Sequence, residues 1–356
     1  MKIRVFNPEH DLALAANLAN FTAPHAGRQL RADLGYLPAL WAEADDVVLV
    51  EHPDEAECRF RRLTKRPFGR FVTREQLAAL PAEGVDVWGW DLAIRAFLLR
   101  CGVAECLLPG VEAIAAIRDL SHRRHAGEML AQLQGPGVVG EAVMLTELQP
   151  LYERLDRGEC LVVKAPWSSS GRGVRFYENT LTNSDFGWLH RILATQGAIM
   201  IEPHYNKVRD FGMEFSSDGE GHVTYLGLSL FSTAGTAYTG NVLASEEEKM
   251  ETISRYIPDD LLVAVRQKIE SLTAALFRGR YAGPFGIDMM VVARPDRDGF
   301  LLHPCVEINL RRTMGHVAID MANAFTFSPF HLSTFPLPRV MQITLSDKYR
   351  IHIRRL

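Results

Sequence analysis

A chain of 356 residues with 47% apolar and 23% charged residues has the material for two or three packed units of ordinary size. Its formal net charge is −4 with acids and bases mixed throughout, which excludes the strong basic field of a nucleic-acid binder, and no apolar run is long enough to span a bilayer. The five cysteines are scattered, without CxxC or Cys/His zinc spacing, and the N-terminus turns polar too soon for a signal peptide; buried free thiols in a cytoplasmic protein are expected.

In chain order, residues 2–6 read as a short strand that NPEHD breaks, with Asp11 placed to cap a helix over LALAANLAN. A helix near 35–44 and a strand at 47–50 complete a strand–helix–strand pattern, which predicts a small parallel α/β sheet. Asn7, Glu9, His10 and Asp11 come just after the carboxyl end of the first strand, where open α/β sheets bind ligands. Helix capping and surface polarity are the plainer account of that cluster, and whether it touches substrate stays open. Residues 52–84 read as polar connections around one short helix. Asp91 caps a helix ended by Gly102, another lies near 111–119, and a third starts at Ser121 and closes at GPG, 135–137. Strand-like pieces at 137–139 and 161–164 bracket a helix near 147–157.

Residues 160–174, CLVVKAPWSSSGRGV, organise the rest of the chain. Lys164 ends an apolar strand, where a charge is costly unless it meets an anion. The Ser/Gly stretch after it leaves backbone N–H groups open to phosphate oxygens. VRFYEN then reads as a strand, so the loop is a hairpin flap; no G-x-x-x-x-G-K-[ST] occurs, which disfavours a P-loop NTPase. No G-x-G-x-x-G succeeds the first strand either, which disfavours a dinucleotide-dependent oxidoreductase.

Asp185 is placed to cap a helix ending at Gly197, and beyond it lies a run of strand-length segments with SDGEG as a turn. Residues 232–241, STAGTAYTGN, read as a loop suited to a lid. Residues 258–280 form a long helix with Asp259 and Asp260 at its start and arginines at its end, matching the helix dipole. Two strands at 286–293 and 300–309 then make a hairpin that sets Asp288 opposite Glu307, with Asn309 on the Glu307 face. Paired carboxylates repel unless a cation or proton lies between them, and oxygen ligands of this kind suit Mg²⁺. Arg311 and Arg312 come next, apt for a carboxylate or phosphate, and 348–356 alternates as a half-buried strand.

A lysine before a glycine flap, an acidic hinge and a D…E-x-N hairpin, in this order, resemble the ATP-grasp superfamily over residues 111–325. The resemblance implies α/β and α+β architecture: an ATP-grasp fold of two α+β lobes gripping ATP, preceded by a small parallel-sheet α/β domain. The implied division is 1–110, 111–200 and 201–356. It further implies Lys164 on the nucleotide phosphates, the flap 168–173 (Ser169, Ser170, Gly171, Arg172, Gly173) above them, Glu202 at the adenine edge and Asp210 at the ribose. Asp288, Glu307 and Asn309 match the family's magnesium ligands (Mn²⁺ being an alternative ion), and Arg311 its arginine near the acyl phosphate. Where the family has a first lysine, this chain has Ser121-His122-Arg123-Arg124, so Arg123 or Arg124 takes that role, and Leu310 stands where proline is frequent.

The resemblance implies an ADP-forming, ATP- and Mg-dependent ligase that activates a carboxylate as an acyl phosphate for attack by an amine or thiol. Small-molecule or peptide substrates and a homodimer are compatible with it. A phosphotransferase on the same scaffold and a non-catalytic nucleotide-binding regulator are the alternatives.

Overall fold

The structure, a computed structural model, describes residues 1–168, 173–178, 181–234, 237–326 and 339–355. The chain forms two compact units, Met1–Arg118 with Thr239–Lys249 and Arg311–Leu356, and Asp119–Tyr238 with Met250–Leu310. This differs from the expected three-way division: the first unit closes at 118 rather than 110, and the chain's last segment belongs to it rather than to a C-terminal lobe.

The first unit opens with β1 (Lys2–Val5), α1 (His10–Ala16), α2 (His25–Leu34), β2 (Val47–Leu49), α3 (Pro53–Leu63), β3 (Arg70–Val72), β4 (Gly84–Val87), α4 (Leu92–Arg100) and α5 (Val111–Leu120). The strands pair in parallel in the order β3-β2-β1-β4. Successive side chains of a strand point to opposite faces, and both faces here are covered. Ile3 and Val5 enter one buried cluster with Val87, Ile94 and Leu98, while Phe6 and Val48 enter another with Phe60, Phe71 and Trp88.

Three expectations are corrected in this unit. The stretch 52–84 contains the strand β3 and leads directly into β4, so it is not only connections. The helix expected near 35–44 is α2, ten residues earlier, continued by a 3-10 turn at Leu37–Leu40. Asp11 lies in the first turn of α1, whose N-cap is Glu9. Asp91 does cap α4, accepting from Ile94 N at 2.8 Å.

The second unit continues with α6 (Arg124–Gln132), β5 (Val143–Leu145), α7 (Gln149–Asp156), β6 (Leu161–Lys164), β7 (Val174–Tyr177), α8 (Asn183–Gln196), β8 (Ile199–Pro203), β9 (Lys207–Ser217), β10 (Val223–Ser229) and β11 (Phe231–Ala234). After β12 (Ala237–Leu243) and α9 (Glu246–Ser254) come α10 (Asp259–Phe277), β13 (Gly283–Ala293) and β14 (Phe300–Asn309). Two antiparallel sheets result, β5-β8-β6-β7 and β10-β9-β13-β14.

In the first of these sheets Leu161, Val163, Ile199 and Ile201 pack under α7 and α8. Val162, Lys164, Met200 and Glu202 therefore share the other face. In the second, Phe285, Ile287, Met289 and Val291 are fully buried, and Phe277 of α10 meets Phe285 edge-on at 4.9 Å. Asp288 and Met290 alternate with them on the opposite face. Helix α6 packs on both β5 and β14, and Val138 bridges Leu302, so the two sheets are linked.

The strand expected at 137–139 is only that bridge; the strand is β5. Helix α8 is capped by Thr182, with Asp185 closing the capping box from inside the first turn, and it ends at Gly197, whose φ of 79° favours glycine. The stretch expected as a lid loop is mostly strand, β11 and β12, with residues 235–236 outside the described set.

The chain then returns to the first unit with α11 (Met314–Thr326), β15 (Arg339–Leu345) and β16 (Tyr349–Arg355). Residues 240–243 of β12 pair with β15, and β15 with β16, both antiparallel. Val317, Ala318, Met321 and Met341 fill the cluster around Phe60 and Trp88.

Candidate functional site

Lys164 ends β6 with 6% of its surface exposed, and its Nζ lies 2.7 Å from Glu202 Oε2. The pairing stems from register: Glu202 stands opposite Val162, so both charges project from the face turned away from α7 and α8. A buried ammonium needs such a partner, and the carboxylate supplies it.

The flap is a hairpin between β6 and β7, with Lys164 paired to Val174. At its base Ala165 N donates to Gly173 O at 2.8 Å. A Cβ on Gly173 would fall 2.3 Å from Ser168 Cβ, so glycine is what lets the two arms approach. Ser169, Ser170, Gly171 and Arg172, expected over the phosphates, lie outside the described residues.

Arg123, the N-cap residue of α6, is buried and reaches two segments at once. Its guanidinium donates to Ala165 O and to Ser168 Oγ (2.8 Å) beyond the lysine strand, and to Glu307 Oε1 (2.7 Å) on the hairpin. Arg124 instead binds Asp119, which also takes Arg280 at 2.8 Å. The structure therefore turns Arg123, not Arg124, toward Lys164's strand and Glu307.

On the hairpin Asp288 pairs with Glu307 and Gly286 with Asn309, in the register the sequence implies. Across β9, Gly212 stands opposite Asp288, and a Cβ there would lie 3.6 Å from Asp288 Oδ1. Among the described residues no three His, Cys, Asp or Glu side chains form a metal cage. Two carboxylates and one amide on adjacent strands are instead the oxygen-only set that magnesium completes with water and phosphate. The Arg123 guanidinium already gives Glu307 Oε1 a cationic partner.

Cys305 lies on β14. It is wholly buried, burial pushes its thiol pKa up, and the charges of Glu202, Lys164, Asp288 and Glu307 all bear on it. His303, also on β14, has no exposed surface and no hydrogen-bond partner on either ring nitrogen. Burial, reinforced by Lys164, drops its pKa to about 3. Tyr205 meets its ring edge-on at 5.5 Å.

Asp210 is partly exposed and holds Lys207 Nζ at 2.6 Å and Thr233 Oγ1 at 2.9 Å. Glu214 is a residue the sequence does not single out: it is 3% exposed and aligns through Gly286 with Asn309, on the Asp288 face of β9. A single polar residue between Met213 and Phe215 is its only trace in the sequence.

In the first unit, Arg311 holds Asp11 as a bidentate pair, Nε to Oδ1 at 2.8 Å and Nη2 to Oδ2 at 2.8 Å. His10 Nδ1 lies 3.1 Å from Asp91 Oδ2, and Asn7 Nδ2 donates to Gly89 O at 2.8 Å. All five cysteines are free, but only Cys305 is buried; Cys101 is half-buried, and Cys58, Cys106 and Cys160 are exposed. No helix among the described residues is long and apolar enough to cross a membrane.

No protein-family model matches the sequence, and no curated protein matches it. Solved structures similar to it include N5-carboxyaminoimidazole synthetase from Staphylococcus aureus, at 11% identity and TM-score 0.49, over 97% of this chain and 82% of that one. Biotin carboxylase from Campylobacter jejuni aligns at 15% identity and TM-score 0.49, over 96% and 75% of the two chains. A putative ATP-grasp superfamily protein from Archaeoglobus fulgidus aligns at 13% identity and TM-score 0.49, over 100% and 99%.

Proposed function

We propose that the chain is an ATP- and Mg-dependent, ADP-forming ligase that activates a substrate carboxylate as an acyl phosphate and passes it to an amine. The observation that carries this reading is Arg123, which touches the segment after the lysine strand and the carboxylate hairpin with one guanidinium. A lysine and an arginine beside a pair of carboxylates form a charge pattern suited to phosphoryl transfer.

In this reading Asp288, Glu307 and Asn309 hold magnesium, whose chemistry is to neutralise charge on the β- and γ-phosphates. Lys164 exchanges Glu202 for phosphate oxygen, and Arg123 neutralises charge spreading over the transferred group. The flap shields the acyl phosphate from water. Asp210 takes the ribose hydroxyls, and Glu202, released from Lys164, accepts from the adenine edge. Arg311 is assigned the substrate carboxylate; its fork already closes on a carboxylate, that of Asp11.

The test is ADP release by the purified chain with MgATP and pooled carboxylates and amines. Release that requires one member of each pool, with inorganic phosphate as co-product, is expected. No ATP binding together with no turnover from any pool overturns the proposal.

A further inference from the structure

The parallel sheet of the first unit carries two cavities at the carboxyl ends of its strands. The smaller, of ≈ 190 Å³, is lined by Asn7 and Glu9 after β1, Arg28 and Arg31 of α2, and Asp91 and Arg100 at the two ends of α4. It lies where the strand order reverses, with β1 paired to β2 on one side and to β4 on the other, the position at which open α/β sheets bind ligands. The larger, of ≈ 370 Å³, shares Arg31, Ile94 and Phe97 with it and has Val5, Phe6, Leu49 and Val50 in its lining.

The charges of the smaller cavity are not all spent inside the protein. Asp91 is committed: it accepts from Ile94 N, His10 and Asn7. Glu9 is only half committed. Its side chain is 9% exposed, Oε1 takes Arg31 Nη1 at 2.6 Å, and Oε2 is buried with no hydrogen-bond partner. A buried carboxylate oxygen without a donor carries a standing desolvation cost. Burial accordingly lifts the Glu9 carboxyl above its ordinary value, against the pull of Arg31. Opposite in sign, Arg28 spends one nitrogen on Ala23 O, and among the described residues no ion pair holds Arg100.

A simple anion would meet the idle Glu9 oxygen, and a simple cation would meet three guanidinium groups. A ligand with an ammonium and a carboxylate a few bonds apart satisfies both. We infer that this cavity binds the head group of an α-amino acid, ammonium on Glu9 and carboxylate on the arginines, with an apolar side chain directed past Ile94 and Phe97 toward the larger cavity. Nothing in this assignment depends on the nucleotide chemistry of the second unit.

Isothermal titration of the whole chain with L-leucine, L-methionine and L-phenylalanine, without nucleotide, tests it. At least one is expected to bind with a Kd of about 1 mM or tighter. N-acetylation, which removes the ammonium, and amidation, which removes the carboxylate, are each expected to weaken binding about tenfold or more. Glu9→Gln and Arg100→Ala are expected to do the same with an unchanged circular dichroism spectrum. Should Glu9→Gln lose the native spectrum, Arg100→Ala with the derivatives decides. No binding of any of the three, or equal binding of the N-acetylated forms, overturns the assignment. Because the titration omits ATP, that result would leave the ligase reading standing.

Discussion

Arg123 donates to Glu307 at 2.7 Å and to Ser168 at 2.8 Å, so one cation spans the base of the flap and the carboxylate hairpin. In the proposed mechanism charge develops beside this guanidinium, so its removal should cost the transition state most. Arg123→Ala is expected to lower the rate of ADP release by about 10²–10³-fold, the usual effect of deleting one preorganised donor. Arg123→Lys should recover part of it. Equal rates for wild type and Arg123→Ala would remove this residue from the mechanism.

Glu307→Gln keeps the shape and loses the charge. Turnover is expected to fall by about 10²-fold or more with the native circular dichroism spectrum retained, and with some loss of stability because buried Arg123 loses its carboxylate partner. The magnesium concentration for half-maximal rate should rise as well. A variant with normal turnover would mean that Glu307 holds no metal.

Breaking the Lys164–Glu202 pair isolates a buried ammonium. Glu202→Gln is expected to destabilise the chain by about 3 kcal/mol, the lower end for an orphaned buried charge. Saturating MgATP should return part of that loss, since phosphate would replace the missing carboxylate; at about a hundred times Kd linkage supplies ~2.7 kcal/mol. Urea unfolding with and without MgATP measures both. A loss that nucleotide leaves unchanged would separate Lys164 from the phosphates.

His303 makes stability depend on pH. Its pKa in the folded chain, about 3, lies below the ordinary value of 6.5, so the unfolded chain binds the extra proton first. The contribution is therefore complete above pH 6.5 and is lost as pH falls toward 3, at a slope of up to about 1.4 kcal/mol per pH unit. His303→Phe is expected to flatten urea midpoints across that window. At neutral pH the variant should also be more stable by about 1 kcal/mol, because both ring nitrogens lack partners.

The residues legible in the sequence are those whose partners a two-residue period predicts. A hairpin folded about 297–298 sets Asp288 opposite Glu307; the strands nearer the turn pair two residues out of that register, and the irregularity between Asp288 and Met290 restores it. Strand β6 with its terminal lysine is visible as an apolar run. Strands β3 and β4 escape because three or four residues in polar surroundings show no period. The cap of α8 is ambiguous within one turn: Asp185 and Thr182 bond each other reciprocally, and either alone suits a cap.

Choosing Arg123 over Arg124 requires the phase of α6, which the SHRR run does not reveal. Glu214 becomes visible only when three strands are in register. The return of α11, β15 and β16 to the first unit rests on contacts between residues far apart in the chain, and local pattern carries no trace of them.

Cys305 is buried within reach of the charges of Lys164, Glu202 and both hairpin carboxylates, whereas Cys58, Cys106 and Cys160 face solvent. Thiol reagents should therefore consume the outer three at once and reach the inner sulfur only when β14 is exposed. The protein thus carries a built-in clock for the opening of its second unit, read by counting modified thiols in a mass spectrum.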